Sequence, residues 1–92
     1  MTKRLELTIF GQVQGVLFRQ SVLELAQALS LTGWVKNHPA NQVMVWAEGN
    51  EEDLKKLLDF CHHGPAAAQV DKIEVKWVEA PQQFVEFLII YD

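Results

Sequence analysis

Cysteine is nearly absent from this sequence of 92 residues, in which Cys61 is the only one. A single thiol cannot form a disulfide within the chain, which argues against a disulfide-stabilised secreted domain. Long apolar runs are also missing. None approaches the ~20 residues of a membrane-spanning helix, and residues 1–6 lack the apolar stretch of a signal peptide. These absences together predict a cytoplasmic protein with no membrane segment.

Positive charge is in short supply as well. Lys and Arg number 8 against 12 Asp and Glu, which gives a formal net charge of −4. Nucleic acids and anionic membranes attract proteins largely through clustered basic residues, so the chain as a whole is not expected to bind either. With 49% apolar and 22% charged residues, the composition is that of a folded globular protein. The length predicts one domain, residues 1–92, and a monomer is the default expectation for it.

The apolar residues follow two periodicities, alternating in predicted strands and recurring three and four apart in predicted helices. The predicted strands are residues 5–13, 34–37, 42–48, 70–78 and 84–91, and the predicted helices are residues 20–29 and 51–63. Asn50 is a candidate N-cap, Gly64 marks a helix end, and Pro81 lies in a turn before the last strand. The order predicts an α+β, ferredoxin-like split β-α-β sandwich, in which two helices cover one face of an antiparallel sheet.

One loop, residues 11–19, has the composition of an anion-binding site. It joins the first strand to the first helix and has the sequence GQVQGVLFR. Its two glycines let backbone N–H groups converge on one point, and the helix N-terminus that follows adds partial positive charge. Arg19 adds a side chain that can grip a phosphate or a carboxylate with two hydrogen bonds. From the spacing alone, a glycine-containing turn with a solvated arginine is an equally good interpretation.

Two segments resemble the sequence signatures of the acylphosphatases. IFGQVQGVLFR at residues 9–19 resembles the first signature. GWVKN at residues 33–37, followed by Val43 and Gly49 at the expected spacing, resembles the second. The resemblance extends over essentially the whole chain. It implies a small ferredoxin-like enzyme that hydrolyses acyl phosphates to a carboxylate and inorganic phosphate, without a metal or another cofactor.

The resemblance also implies which residues do the chemistry. The family's catalytic arginine falls on Arg19 and its catalytic asparagine on Asn37. The backbone that cradles the phosphate falls on Gln14, Gly15, Val16, Leu17, Phe18 and Arg19. Arg19 and the loop amides would meet the phosphate charge, whereas the Asn37 amide, both donor and acceptor, would hold the attacking water. The implied partners are a small acyl phosphate as substrate and inorganic phosphate as product and inhibitor.

Three positions depart from the family pattern. Ala40 and Asn41 stand where the family usually has Asp-Gly, and Ser30 stands where a glycine is common. Asparagine is the best substitute for glycine in a left-handed turn conformation, so the hairpin between the second and third strands is still expected to form. None of the three positions has a catalytic role in the family.

Other suggestive residues have simpler explanations. In the run Cys61-His62-His63, adjacent histidines on a helix point roughly 100° apart and chelate a metal poorly, whereas cations at a helix C-terminus are favourable. His38, beside the candidate catalytic asparagine, is interpreted as a solvated turn residue. We therefore expect no metal site.

Two other classes of function fit the predicted topology. RNA-recognition domains share it but need exposed aromatic residues on a basic surface. The tryptophans, Trp34, Trp46 and Trp77, are interpreted instead as packing residues. A ligand-binding domain without catalysis is the other class, and the presence of both Arg19 and Asn37 argues against it.

Overall fold

The computed structural model describes residues 2–79 and 82–91. The elements follow the predicted order: β1 (Lys3–Gln12), α1 (Phe18–Ala28), β2 (Thr32–His38), β3 (Gln42–Gly49), α2 (Glu51–His63), β4 (Gln69–Glu79) and β5 (Phe87–Ile90). Their bounds agree with the sequence prediction to within three residues. The predicted turn at Pro81 lies outside the described residues.

The five strands form one sheet in the order β4-β1-β3-β2-β5. β1 pairs antiparallel with β3 and β4, and β2 pairs antiparallel with β3. The prediction of an antiparallel sheet is wrong for the last strand, because β5 pairs parallel with β2 and the sheet is mixed. The chain path explains this pairing. β4 ends at the same end of the sheet where β2 begins, so a strand reached by crossing along that end runs in the direction of β2.

Both helices pack against one face of the sheet, around a single core. Alternate residues of the central strands point to that face, so that Leu5, Leu7 and Ile9 of β1 are all buried. The helices contribute the buried residues Phe18, Val22 and Ala26 from α1 and Leu54, Leu57 and Cys61 from α2. The predicted helix signals are confirmed for α2: Asn50 accepts the N–H of Asp53 at 2.9 Å, and Gly64 ends the helix with a φ of 69°.

The two ends of the sheet have different structures. At one end, residues 82–86 lead into β5, and the buried Glu48 carboxylate accepts the backbone N–H groups of Gln83 at 2.8 Å and Phe84 at 3.2 Å. At the other end, β1, β2 and β5 all finish, because they run in the same direction. This second end brings together the loop after β1, the last residues of β2 and Tyr91 after β5.

The tryptophans lie on the sheet. Trp34 and Trp46 stack on the face without helices, with ring centroids 5.3 Å apart. The Arg4 guanidinium lies 4.7 Å from the Trp46 centroid, and the Lys36 ammonium 5.5 Å from that of Trp34. Trp77, on the edge strand β4, is partly exposed. The stacked pair already contacts protein groups, as expected of packing residues.

Candidate active site

The loop between β1 and α1 changes direction at two residues with positive φ. Gly15 has a φ of 72° and Leu17 a φ of 65°. A Cβ atom at Gly15 would meet no protein atom within 4 Å, so glycine is favoured here by its backbone conformation alone. Val13 and Phe18 are buried and anchor the two ends of the loop in the core. The loop is therefore fixed at both ends, while Gly15 and Leu17 face solvent.

The first turn of α1 lacks the groups that usually satisfy a helix N-terminus. Leu17, at the N-cap, makes no side-chain hydrogen bond to the helix, and the first turn contains no acidic residue. In α2, by contrast, Asn50 caps the helix and three acidic residues occupy the first turn. An uncapped N-terminus presents free N–H groups and partial positive charge to an anion. Arg19 in this turn disfavours the helix by itself, but it complements a bound anion.

Arg19 borders a cavity of about 300 Å³ at the mouth of the loop. The other lining residues are Val13, Gly15, Leu17, Phe18, Gln20, Ile89 and Tyr91. The Arg19 guanidinium carbon lies 5.1 Å from the centroid of the Tyr91 ring. No carboxylate of the described residues lies within ion-pair distance of Arg19. Within that part of the chain, the guanidinium is supported by an aromatic ring and keeps its N–H donors for a ligand.

Asn37 is the penultimate residue of β2 and lies on the face of the sheet that the helices cover. It is the cross-strand partner of Val43 and shares its face with the buried Val35. Its Oδ1 atom is buried and has no hydrogen-bond partner among the residues that the structure describes. An unsatisfied buried acceptor costs about 1–3 kcal/mol. The position is therefore suited to an acceptor that a ligand or a water molecule satisfies.

Gln14 links the loop to the strand that carries Asn37. Its side-chain amide donates to the backbone carbonyl of His38 at 2.9 Å and to that of Gln42 at 2.8 Å. His38 directly follows Asn37, so this end of β2 is tied to the loop through its backbone. The sequence predicted a role for the backbone of Gln14 only, because no local pattern shows which carbonyls will face its side chain.

The predicted loop residues line two different surfaces. Those that line the cavity beside Tyr91 are Gly15, Leu17, Phe18 and Arg19. Gln14 and Val16 line a second depression on the side of Asn41. Asn37 borders neither surface and connects to the loop through Gln14. Tyr91 also lines the cavity at Arg19, and the sequence did not predict this because the place of Tyr91 depends on the parallel pairing of β5.

The positions that depart from the family pattern share one backbone property. Ser30, Ala40 and Asn41 all have positive φ, at 58°, 66° and 63°. A left-handed conformation explains why glycine is favoured at such positions. The hairpin forms nonetheless, with His38 opposite Gln42 at its end, which confirms the expectation for this turn.

Comparisons with known proteins agree with the signatures. The sequence profile of the acylphosphatase family matches residues 5–89. An acylphosphatase from Marinobacter nauticus is 43% identical over 84 residues, which are 91% of each chain. One from Methylococcus capsulatus is 39% identical over 90 residues, 98% of each chain. The crystal structure of acylphosphatase from Bacillus subtilis has a TM-score of 0.92 at 31% identity, over 97% of this chain and 99% of that one. The chain belongs to the acylphosphatase family.

Membership confirms the resemblance seen in the sequence and makes this protein an acylphosphatase-type hydrolase. The first acylphosphatase signature forms the end of β1, the loop and the first turn of α1, and the second forms β2 up to Asn37. The two signatures are separated by α1 along the chain, yet both include residues at the end of the sheet where β1 and β2 finish. The hydrogen bonds of Gln14 run directly between them.

The cysteine and histidines at the end of α2 lie outside this site. Cys61 is fully buried, and burial raises the pKa of its thiol to about 12, so that it stays protonated and is a poor nucleophile. His62 and His63 are exposed, and the Nδ1 atom of His63 lies 3.2 Å from the carbonyl oxygen of Asp59. Over residues 2–79 and 82–91, no three His, Cys, Asp or Glu side chains are placed to hold a metal ion.

Proposed function

We propose that the protein hydrolyses the carboxyl-phosphate bond of small acyl phosphates, with the loop amides and Arg19 binding the phosphate and Asn37 orienting the attacking water. The start of α1 supports this proposal most strongly. It is uncapped, contains no acidic residue, and carries Arg19 in its first turn. A helix start of this kind attracts a doubly charged anion such as a phosphate group.

The chemistry of an acyl phosphate explains why so few side chains are enough. The bond is a mixed anhydride, and its leaving group is a carboxylate whose acid has a pKa of about 4. The departing oxygen therefore needs no general acid near neutral pH. Phosphoryl transfer passes through a loose transition state in which negative charge is spread over the phosphoryl oxygens. Arg19 and the N–H groups of the loop are suited to stabilising that charge.

Asn37 is suited to the nucleophile because its Oδ1 atom needs a donor. A water that donates to this oxygen is held at the end of β2 and directs a lone pair at phosphorus. The new P–O bond forms as the bond to the acyl oxygen breaks, and the electron pair leaves with the carboxylate. Among the described residues, the cavity at Arg19 is lined by no carboxylate and no imidazole. We assign the water proton to a phosphate oxygen of the substrate.

A pair of substrates tests this function. Benzoyl phosphate and phenyl phosphate share a ring and a phosphate, but phenol has a pKa of roughly 10 and is a much poorer leaving group than a carboxylate. We expect fast hydrolysis of benzoyl phosphate, negligible hydrolysis of phenyl phosphate, and competitive inhibition by inorganic phosphate. The rate should be unchanged in EDTA. Equal rates on both substrates, or activity lost to EDTA and restored by Mg²⁺ or Zn²⁺, would contradict the proposal.

We further propose that the protein acts as a cytoplasmic monomer that binds no nucleic acid. The open face of the sheet mixes acidic and basic side chains, including Glu6, Glu74 and Lys76, and so offers no uniform basic surface for RNA. No helix among the described residues is long and apolar enough to cross a membrane. Size-exclusion chromatography with light scattering tests the oligomeric state, and a salt-dependent RNA gel shift tests the nucleic-acid alternative.

A further inference from the structure

We propose that Gln14 is a positioning residue, whose two side-chain hydrogen bonds hold Asn37 in register with the phosphate loop. The inference rests on the proposed function, because it assumes that the loop binds phosphate and that Asn37 orients the water. The phosphate loop and Asn37 belong to different segments, and neither segment fixes its distance from the other. The distance between the two halves of the site has to be held constant during turnover.

The Gln14 side chain is fully used in this contact. Its partners, the carbonyls of His38 and Gln42, can only accept hydrogen bonds, so the amide nitrogen has to face them. Both N–H groups are engaged, at 2.9 Å and 2.8 Å, within the usual range for N–H···O hydrogen bonds. The two acceptors flank the turn between β2 and β3. One side chain therefore holds both strands of the hairpin.

The sheet itself does not make this connection. The pairing of β1 with β3 ends at Ile9 opposite Val43, and a bulge follows at Phe10 and Gly11. Beyond the bulge, β1 pairs only with β4. The chain that enters the loop has thus separated from β3, and β2 lies one strand further away. The bond from Gln14 to the carbonyl of Gln42, the residue before Val43, reconnects the loop to the hairpin.

Catalysis is sensitive to this distance because the water and the phosphorus atom must approach in line. A misplacement of about 1 Å can cost on the order of 10²-fold in rate. Without Gln14, the phosphate would still meet the loop amides and Arg19, because both belong to the same segment. Asn37 would lose its link to that segment. Loss of the Gln14 side chain should therefore lower kcat and leave phosphate binding nearly intact.

Gln14→Met is the sharpest variant, because methionine keeps the length of the side chain and removes both donors. Gln12→Met is the matched control, since Gln12 is exposed, lies two residues earlier and makes no side-chain hydrogen bond among the described residues. We expect Gln14→Met to lower kcat by about 10- to 100-fold, with the phosphate Ki within about threefold of the wild type. The control should keep the wild-type kcat. An unchanged kcat in Gln14→Met, or an equal loss in the control, would overturn the inference.

A double-mutant cycle separates positioning from a general structural role. If Gln14 acts through Asn37, Gln14→Met should lower kcat by less than about twofold in an Asn37→Ala background, because no asparagine remains to be held. A purely structural role predicts the same loss in both backgrounds. Equal losses in folded proteins, as judged by thermal melts, would contradict the inference.

Gln14→Glu gives a second variant if Gln14→Met does not fold. Its carboxylate would face two carbonyl oxygens, whereas the protonated carboxyl can donate to one of them. The kcat of Gln14→Glu relative to the wild type should therefore rise as the pH falls. A ratio that does not change with pH would count against the two hydrogen bonds.

A nitrogen-15 NMR spectrum supplies a readout that needs no turnover. The side-chain amide signal of Asn37 should shift in Gln14→Met and stay in place in Gln12→Met. If the wild type hydrolyses no acyl phosphate, the proposed function is wrong, but this signal still shows whether Gln14 positions Asn37. An Asn37 signal that stays in place in Gln14→Met would overturn the inference on its own.

Discussion

The two arginines of this chain lie at opposite ends of the sheet, in contrasting surroundings. Arg4 is enclosed by partners, namely Glu6 at 2.9 Å, Gln83 at 3.1 Å, Glu48 at 3.5 Å and the Trp46 ring at 4.7 Å. Arg19, within the described residues, is in contact with the Tyr91 ring and with no carboxylate. An arginine with several partners stabilises the fold, whereas one whose donors are left over is available to a ligand.

Two side chains with buried oxygen atoms, Glu48 and Asn37, show the same contrast. Glu48 has both oxygens engaged, one by backbone N–H groups of the crossing segment and the other by Arg4. Asn37 has a buried oxygen with no partner in the described part of the chain. Buried polar groups are normally paired, so an exception needs an explanation. The fold supplies the partners of Glu48, whereas we assign those of Asn37 to the substrate and its water. Thr32, opposite Glu48 in the sheet, also has a buried oxygen, Oγ1, with no partner among the described residues.

Removal of Arg19 should have the largest effect on activity. Arg19→Ala removes charge-assisted hydrogen bonds to the transferring phosphoryl group, and kcat/KM should fall by about 10³-fold or more. The phosphate Ki should rise in the same variant, while the melting temperature changes by less than about 2 °C. Arg19→Lys should recover only part of the activity, because an ammonium cannot bind two oxygens in the plane of a guanidinium. Near-wild-type kcat and Ki in Arg19→Ala would show that Arg19 does not bind the phosphate.

Arg4→Ala should give the opposite result. The variant leaves the buried Glu48 carboxylate without its cation and removes the cover from the Trp46 ring. We expect the free energy of unfolding to fall by about 1.5–3 kcal/mol, with kcat within twofold of the wild type. Urea denaturation and steady-state kinetics on the same samples provide the measurement. An unchanged denaturation midpoint would show that the partners of Arg4 contribute little.

Ser30→Gly tests a turn residue between α1 and β2, at the end of the sheet where β2 begins. Ser30 is exposed and has a φ of 58° just after α1, where glycine avoids the strain of a side chain. The substitution should stabilise the protein by up to about 1 kcal/mol. Glycine relieves the strain of the left-handed conformation, but this gain is partly offset by the greater conformational entropy of glycine in the unfolded chain. Ser30→Ala, which keeps the Cβ atom, is the control and should give no gain. A lower melting temperature for Ser30→Gly would contradict this account of the departure from the family pattern.

The smallest effect is expected at Glu51, which forms partly exposed ion pairs with Lys3 and Lys55. Lys3 and Lys55 hydrogen-bond the Glu51 carboxyl and lower its pKa from 4.5 to about 2, and Glu51 in turn raises the pKa of Lys3. The lowered pKa of Glu51 stabilises the fold at pH values above 4.5, the pKa of the carboxyl in the unfolded chain. This stabilisation is lost as the pH falls from about 4.5 to 2. The Tm of Glu51→Gln should therefore be slightly below that of the wild type at pH 7 and approach it as the pH falls towards 2. A difference in Tm that does not shrink between pH 4.5 and 2 would contradict this cause.

The features that the sequence predicted correctly depend on short stretches of chain. Asn50 caps α2 through a contact three residues away, and Gly64 ends the helix through its own φ angle. The loop before α1 was placed by a continuous motif. Such features follow from neighbouring residues, and a sequence displays them directly.

The features that were missed depend on contacts between distant parts of the chain. The parallel β5 follows a crossing segment that Glu48 holds through residues 35 and 36 positions away. That strand then carries Tyr91 to Arg19, 72 positions apart in the sequence numbering. The side-chain bonds of Gln14 span 24 and 28 residues. Neither a periodicity nor a local motif specifies these pairings.

The assignment of Asn37 to the attacking water is tested most directly by kcat and the phosphate Ki of Asn37→Ala, measured side by side with a thermal melt to confirm folding. The division of roles assigns Asn37 to the water alone, so kcat should fall by about 10²-fold or more while the Ki stays within about threefold of the wild type. A Ki that rises in parallel with the loss of kcat would make Asn37 a phosphate ligand. A kcat within twofold of the wild type would show that Asn37 has no role in catalysis.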